Sequence, residues 1–129
     1  MESVARNRTA DDVKPVALKA FGGIMANWSI SISEAAALAD MSVSTWKRAK
    51  KPGYTGELTH DQMLRLSAVV GIYKSLELYF AEPLSRRWIS LPNTGPLFGG
   101  STPLATLIDG GLPQFLQVRA YLDALRGGA

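Results

Sequence analysis

Apolar residues recur along most of this chain with the three-to-four spacing of helices, and polar or glycine- and proline-rich breaks separate the runs. Residues 1–10 lack periodicity and read as a flexible arm. From Asp12 the apolar positions Val13, Val16, Ala17, Ala20, Phe21, Ile24 and Trp28 predict one helix face, capped by Asp11 or Asp12 and tolerating Pro15 in its first turn. Gly22 and Gly23 fall in the middle of this helix, where each costs about 1 kcal/mol relative to alanine. Either a second helix crosses closely there or the helix kinks. The alternation over 29–33 is too isolated for a strand and reads as a connector ending in an N-cap at Ser33. An alanine-rich helix over 34–39, a turn at Asp40-Met41 and a third helix capped by Ser42 and running to Lys50 follow.

The run Lys51-Pro52-Gly53-Tyr54-Thr55-Gly56 breaks the chain. Thr59 and Gln62 have capping-box spacing and open a long helix to about Phe80. Its apolar residues lie nearly all the way round, so it is either the central post of the fold or a subunit interface. Pro83 starts a short helix with Trp88, Ile89 and Leu91, and residues 92–100 form an ordered loop. Thr102 with Pro103 is a helix start that Gly110-Gly111 ends. The last helix begins near Pro113, buries Phe115, Val118, Leu122 and Leu125, and stops at Gly127. Nothing resembles a sheet or a repeat.

Within this all-α pattern, residues 34–50 have the constraints of a helix-turn-helix. Ala36 is small enough to admit the second helix, Asp40 tolerates a left-handed backbone in the turn, and Trp46 plugs the core, with Leu38 and Met41 pointing inward. The second helix then presents Ser42, Ser44, Lys47 and Arg48 outward, followed by Lys50 and Lys51. Hydroxyls and a helix N-terminus suit phosphates, and the cations can reach phosphates or guanine edges. A solvated basic helix face gives the same pattern. Charge matters here only locally: the net charge is +3 over 129 residues, yet 46–51 holds four cations and no acid.

Composition narrows the chemistry. Without cysteine there is no disulfide, thiolate metal site or thiol nucleophile. The N-terminus has no apolar run, and the most apolar stretch, 63–80, is broken by Arg65, Lys74 and Glu77, so the expectation is a soluble cytoplasmic protein with no membrane partner. The single histidine, His60, sits at a helix start, and Asp109 and Asp123 are isolated carboxylates. No catalytic set, cofactor motif or metal spacing appears.

The chain from Phe21 to Gly127 resembles the Xre/MbcA/ParS-type antitoxins of RES–Xre toxin–antitoxin modules. Three stretches carry the resemblance. They are the helix-turn-helix at 33–50, the Leu58-Thr59 start with 63–70, and Trp88-Ile89-Ser90-Leu91-Pro92-Asn93 followed by Leu97-Phe98-Gly99-Gly100-Ser101-Thr102-Pro103-Leu104. The resemblance implies an N-terminal helix-turn-helix bundle (11–57) continuous with a central helix and small C-terminal toxin-binding domain (58–129). It also implies a homodimer, placed here at the 63–80 helix, a RES-domain toxin that consumes NAD, and repression of its own operon by operator binding. Trp88, Pro92, Asn93, Leu97, Gly99, Pro103, Leu104, Gly110 and the terminal helix to Arg126 carry over as toxin-binding candidates. Of these, Trp88 and Leu104 read more readily as core, whereas Asn93 and the Leu97-Phe98 pair sit on a loop where exposed apolar groups point to contact. The ending Gly127-Gly128-Ala129 lacks the bulky terminal residue of many relatives, and the loop at Thr94-Gly95-Pro96 is longer than usual. The alternatives are a stand-alone regulator of the same fold and an inhibitor that no longer touches DNA.

Overall fold

Four hydroxyl side chains determine where helices begin. Ser31, Ser42, Thr59 and Thr102 stand in extended backbone, and each accepts a hydrogen bond from the N–H three residues on. Each thereby satisfies one of the donors that a helix start leaves open. The computed structural model describes residues 10–127, and among them it contains seven α-helices, one 3₁₀ turn and no strand. The helices are α1 (Ala10–Asn27), α2 (Ile32–Leu38), α3 (Val43–Ala49), α4 (His60–Tyr79), α5 (Leu84–Arg87), α6 (Pro103–Gly110) and α7 (Leu112–Arg126), with the 3₁₀ turn Trp88–Ser90 after α5. The expected all-α class holds. No helix among the described residues is long and apolar enough to cross a membrane.

α4 is the central post. Leu66, Val69, Ile72 and Leu76 are fully buried along it, with α1 packed on one side and α7 on the other. Burying side chains of this size stabilises by about 1.5–3 kcal/mol each, so this seam dominates the core. α7 runs parallel to α4. Arg65 lies over the Phe115 ring, Arg119 covers Gly71, and the Ser75 hydroxyl donates to Asp123 Oδ1 at 3.2 Å, three contacts in the same order along both helices. α2 packs on α3 and also touches α6, so the first and last parts of the chain share one core.

Several local expectations change. The α2 cap is Ser31, not Ser33, because Glu34 stands at the third helical position from Ser31 and closes a capping box with it. α1 is helical from Ala10, upstream of the expected aspartate caps, whose side chains lie outside the described residues, as does the arm up to Thr9. Pro15 is therefore inside α1 rather than in its first turn. The buried face of α1 is also rotated. Leu18, Phe21, Ile24, Met25 and Trp28 are buried, whereas Val13, Val16 and Ala20 are exposed. Lys14 joins the buried side because its Nζ donates to the Gly56 carbonyl at 2.8 Å, tying α1 to the loop after α3.

At Gly22 and Gly23 no second helix approaches closely enough to need a missing side chain. α1 continues through them unbroken. A Cβ on Gly22 would make an ordinary contact with Trp46 at 3.8 Å, and one on Gly23 would meet nothing within 4 Å.

Candidate DNA and toxin interfaces

The turn between α2 and α3 is closed by backbone geometry and then held from outside. Asp40 has φ +57°. The Met41 N–H bonds to the Ala36 carbonyl at 2.9 Å and the Asp40 N–H to the Ala37 carbonyl at 3.2 Å, the pair that ends a helix through a left-handed residue. Ala36 is buried, and Trp46 fills the core edge-on to Phe21, with ring centroids 5.2 Å apart. The three positions read as a helix-turn-helix thus perform the expected tasks.

Two side chains of α4 clamp this turn, and sequence reasoning did not anticipate either contact. Gln62 accepts the Thr59 N–H through Oε1 at 2.9 Å and donates through Nε2 to the Asp40 carbonyl, also at 2.9 Å. Arg65 pairs with Asp61 at 2.6 Å, donates to the Leu38 carbonyl at 3.4 Å, and covers Phe115 from 5.5 Å. Gln62 was legible as half of a capping box. Its second bond, to a residue 22 positions away, leaves no local trace in the sequence.

Clamped in this way, α3 turns Ser42, Ser44, Lys47, Arg48, Lys50 and Lys51 to solvent, as expected. Ser42 is the cap: its Oγ accepts the Thr45 N–H at 3.1 Å. Arg48 folds back along α3 toward the Ser44 carbonyl and Thr45 Oγ1 at 3.5 and 3.4 Å, contacts at the outer limit of hydrogen bonding. Among the described residues no ion pair joins these cations to a carboxylate. The result is an exposed basic ridge on a rigidly seated helix.

The second candidate surface is the loop 92–101. Asn93 organises it. Its N–H bonds to the Ser101 carbonyl at 3.0 Å, its carbonyl accepts the Gly100 N–H at 2.8 Å, and its Oδ1 accepts the Gly95 N–H at 2.8 Å. Gly99 and Gly100 adopt positive φ, +57° and +94°, where a side chain would be strained. Leu97 is half-buried, and Gly99 is exposed.

Phe98 departs from expectation. It is not an exposed loop residue but is 4% exposed, stacked edge-on between Trp88 and Tyr121 at centroid distances of 5.7 and 5.8 Å. The loop curls so that Phe98 closes the core while Leu97 stays at the surface. Trp88, Pro103 and Leu104 are buried too, so they position the loop and α6. Gly110 is exposed at the end of α6, and Gly111, with φ +69°, makes the break before α7. The Arg126 side chain lies outside the described residues.

Along 63–80, where a dimer core is expected, one face of the helix is buried within the chain. α4 leaves Leu64, Leu78 and Tyr79 exposed, with Leu84 of α5 also exposed beyond its C-terminal end. His60 is exposed at the first residue of α4, and the described residues contain no group of three potential metal ligands.

Two family descriptions match the chain in tandem. "Antitoxin Xre-like helix-turn-helix domain" covers residues 8–71, and "Antitoxin Xre/MbcA/ParS C-terminal toxin-binding domain" covers residues 75–128. Among curated proteins, y4oB of Sinorhizobium fredii (strain NBRC 101917 / NGR234) is 36% identical over 116 residues, which spans 88% of this chain and 87% of the relative. No solved structure matches significantly.

Proposed function

Because the chain belongs to the Xre/MbcA/ParS antitoxin family, carrying both its helix-turn-helix DNA-binding domain and its toxin-binding domain, we propose that its toxin is a RES-domain enzyme that consumes NAD. The antitoxin blocks that enzyme through the loop 92–101 and the end of α7, and represses its own operon through α3. The family is non-enzymatic, so the activity under control is the partner's.

The observation that carries this reading is the arrangement of the two surfaces. A basic ridge and an ordered loop project from one core, joined by α4. On the ridge, Lys47, Arg48, Lys50 and Lys51 meet phosphates or base edges, and Ser42 and Ser44 line the approach. On the loop, Asn93, Leu97 and Gly99 face the toxin, with Arg126 contributing from the last helix. Phe98 and Leu104 act behind them by holding the loop's shape. Two copies associate through the apolar strip that α4 leaves at its C-terminal end, Leu78 and Tyr79 together with Leu84.

The experiment is co-expression with the product of the adjacent reading frame. The expected result is a stable joint particle and cellular NAD restored to the level of cells lacking the toxin. Separate elution, with NAD still depleted, would refute the assignment. A harmless neighbour would favour the stand-alone regulator.

A further inference from the structure

An apolar cavity of about 720 Å³ opens between α1, α2, the C-terminal end of α3 and the loop 51–54. Ala26, Ile30, Ile32 and Tyr54 supply apolar surface to it above the buried Leu18, Met25 and Trp46, and Lys19, Lys50 and Lys51 are its charged residues, with no aspartate or glutamate among the residues that line it. The volume lies in the range that holds small organic ligands.

Gly22 and Gly23 both line this space. Their placement in mid-helix has a helix-propensity cost that nothing within the chain requires. Neither has positive φ, and an added Cβ would meet at most one atom, at ordinary contact distance. What their missing side chains do is keep the cavity open along α1, where backbone can approach a ligand closely.

We propose that this cavity binds a small single-chain amphiphile, with its apolar body along Gly22, Gly23, Ala26 and Ile30 and its anionic head, carboxylate or phosphate, among Lys19, Lys50 and Lys51. Other occupants fit less well. Residues 1–9 carry Arg6 and Arg8 against a single Glu2, the wrong sign for a lysine rim. A DNA backbone has no use for an apolar floor. A second copy docking here by two-fold symmetry would bring lysine to lysine. Because Lys50 and Lys51 also belong to the basic ridge, a bound anion would compete with operator phosphates.

The test is calorimetric titration of the whole chain with decanoate, decyl phosphate and neutral 1-decanol below their aggregation limits. Saturable binding of at least one anion is expected, at least about tenfold tighter than decanol. Decanoate and decyl phosphate distinguish the two head groups. Gly23→Leu, which fills the cavity and improves helix propensity, should weaken that binding by at least about tenfold, and Lys19→Glu by about threefold. Ala26→Phe, at an exposed lining position, fills the same space independently should Gly23→Leu misfold. Decanol binding as tightly as the anions, unchanged affinity in the filled variants, or no saturable binding at all would each overturn the proposal. The toxin is absent from every arm, so the result is independent of which toxin the chain neutralises.

Discussion

Replacing Phe98 by alanine separates the roles of two neighbouring loop residues. The ring is 4% exposed and makes two edge-on aromatic contacts, with Trp88 and Tyr121. Truncating a buried phenylalanine costs about 3–5 kcal/mol, and aromatic pairs add about 0.5–1.5 kcal/mol beyond burial. The loop can partly collapse into the space, which places Phe98→Ala near the lower end, about 3 kcal/mol. This is a large share of the 5–15 kcal/mol typical of a whole domain. The assay is urea denaturation of the isolated antitoxin, compared with Leu97→Ser. Leu97 is half-buried beside Phe98 but outside the aromatic cluster, so its replacement should cost about 1 kcal/mol or less while weakening toxin capture. Phe98→Leu, which keeps most of the apolar volume, should recover most of the lost stability. A Phe98→Ala midpoint within about 1 kcal/mol of wild type would refute the reading of Phe98 as core, as would Leu97→Ser proving the more destabilising of the two.

Three further outcomes follow from the helix-turn-helix. Gln62→Glu keeps the capping-box acceptor for Thr59 but cannot donate to the Asp40 carbonyl, so it should destabilise by about 1–2 kcal/mol in thermal or urea unfolding, although box rules alone treat the two residues as equivalent. Asp40→Gly should leave stability unchanged or raise it by up to about 1 kcal/mol, whereas Asp40→Val, forced to φ +57°, should lower it by at least about 1 kcal/mol in the same measurement. Charge reversal at Lys47 and Arg48, both exposed, should leave unfolding unchanged. It should abolish tight operator binding in a gel-shift assay and reduce the salt slope of the residual binding by about 2.

Sequence carried most where a residue's task is local. Thr59, Ser42 and Thr102 announced their helices because a cap depends on residues within one turn. Asp40 was legible because few side chains tolerate its backbone. The Ser31 cap was available on the same grounds, since Glu34 follows at capping-box spacing, but a second serine at 33 competed for it. The rotation of α1 was less accessible. Its apolar residues surround the axis, and which ones are buried depends on the bond from Lys14 to Gly56 and on the fit of Trp46 against Phe21. Phe98 illustrates the same limit at the second surface. Its partners, Trp88 and Tyr121, come from a 3₁₀ turn and from α7, so no single stretch of chain reveals that the loop folds inward.

The two matched regions, 8–71 and 75–128, meet inside α4 rather than in a linker. The DNA-reading and partner-holding parts are therefore not cassettes that recombination could trade freely. A crossover at their border would cut an unbroken rod of 20 residues, about 30 Å long, and leave Ile72 and Leu76 severed from Leu66 and Val69. Because that helix runs unbroken through the border, a partner gripped by either part would be carried at a set bearing to the other.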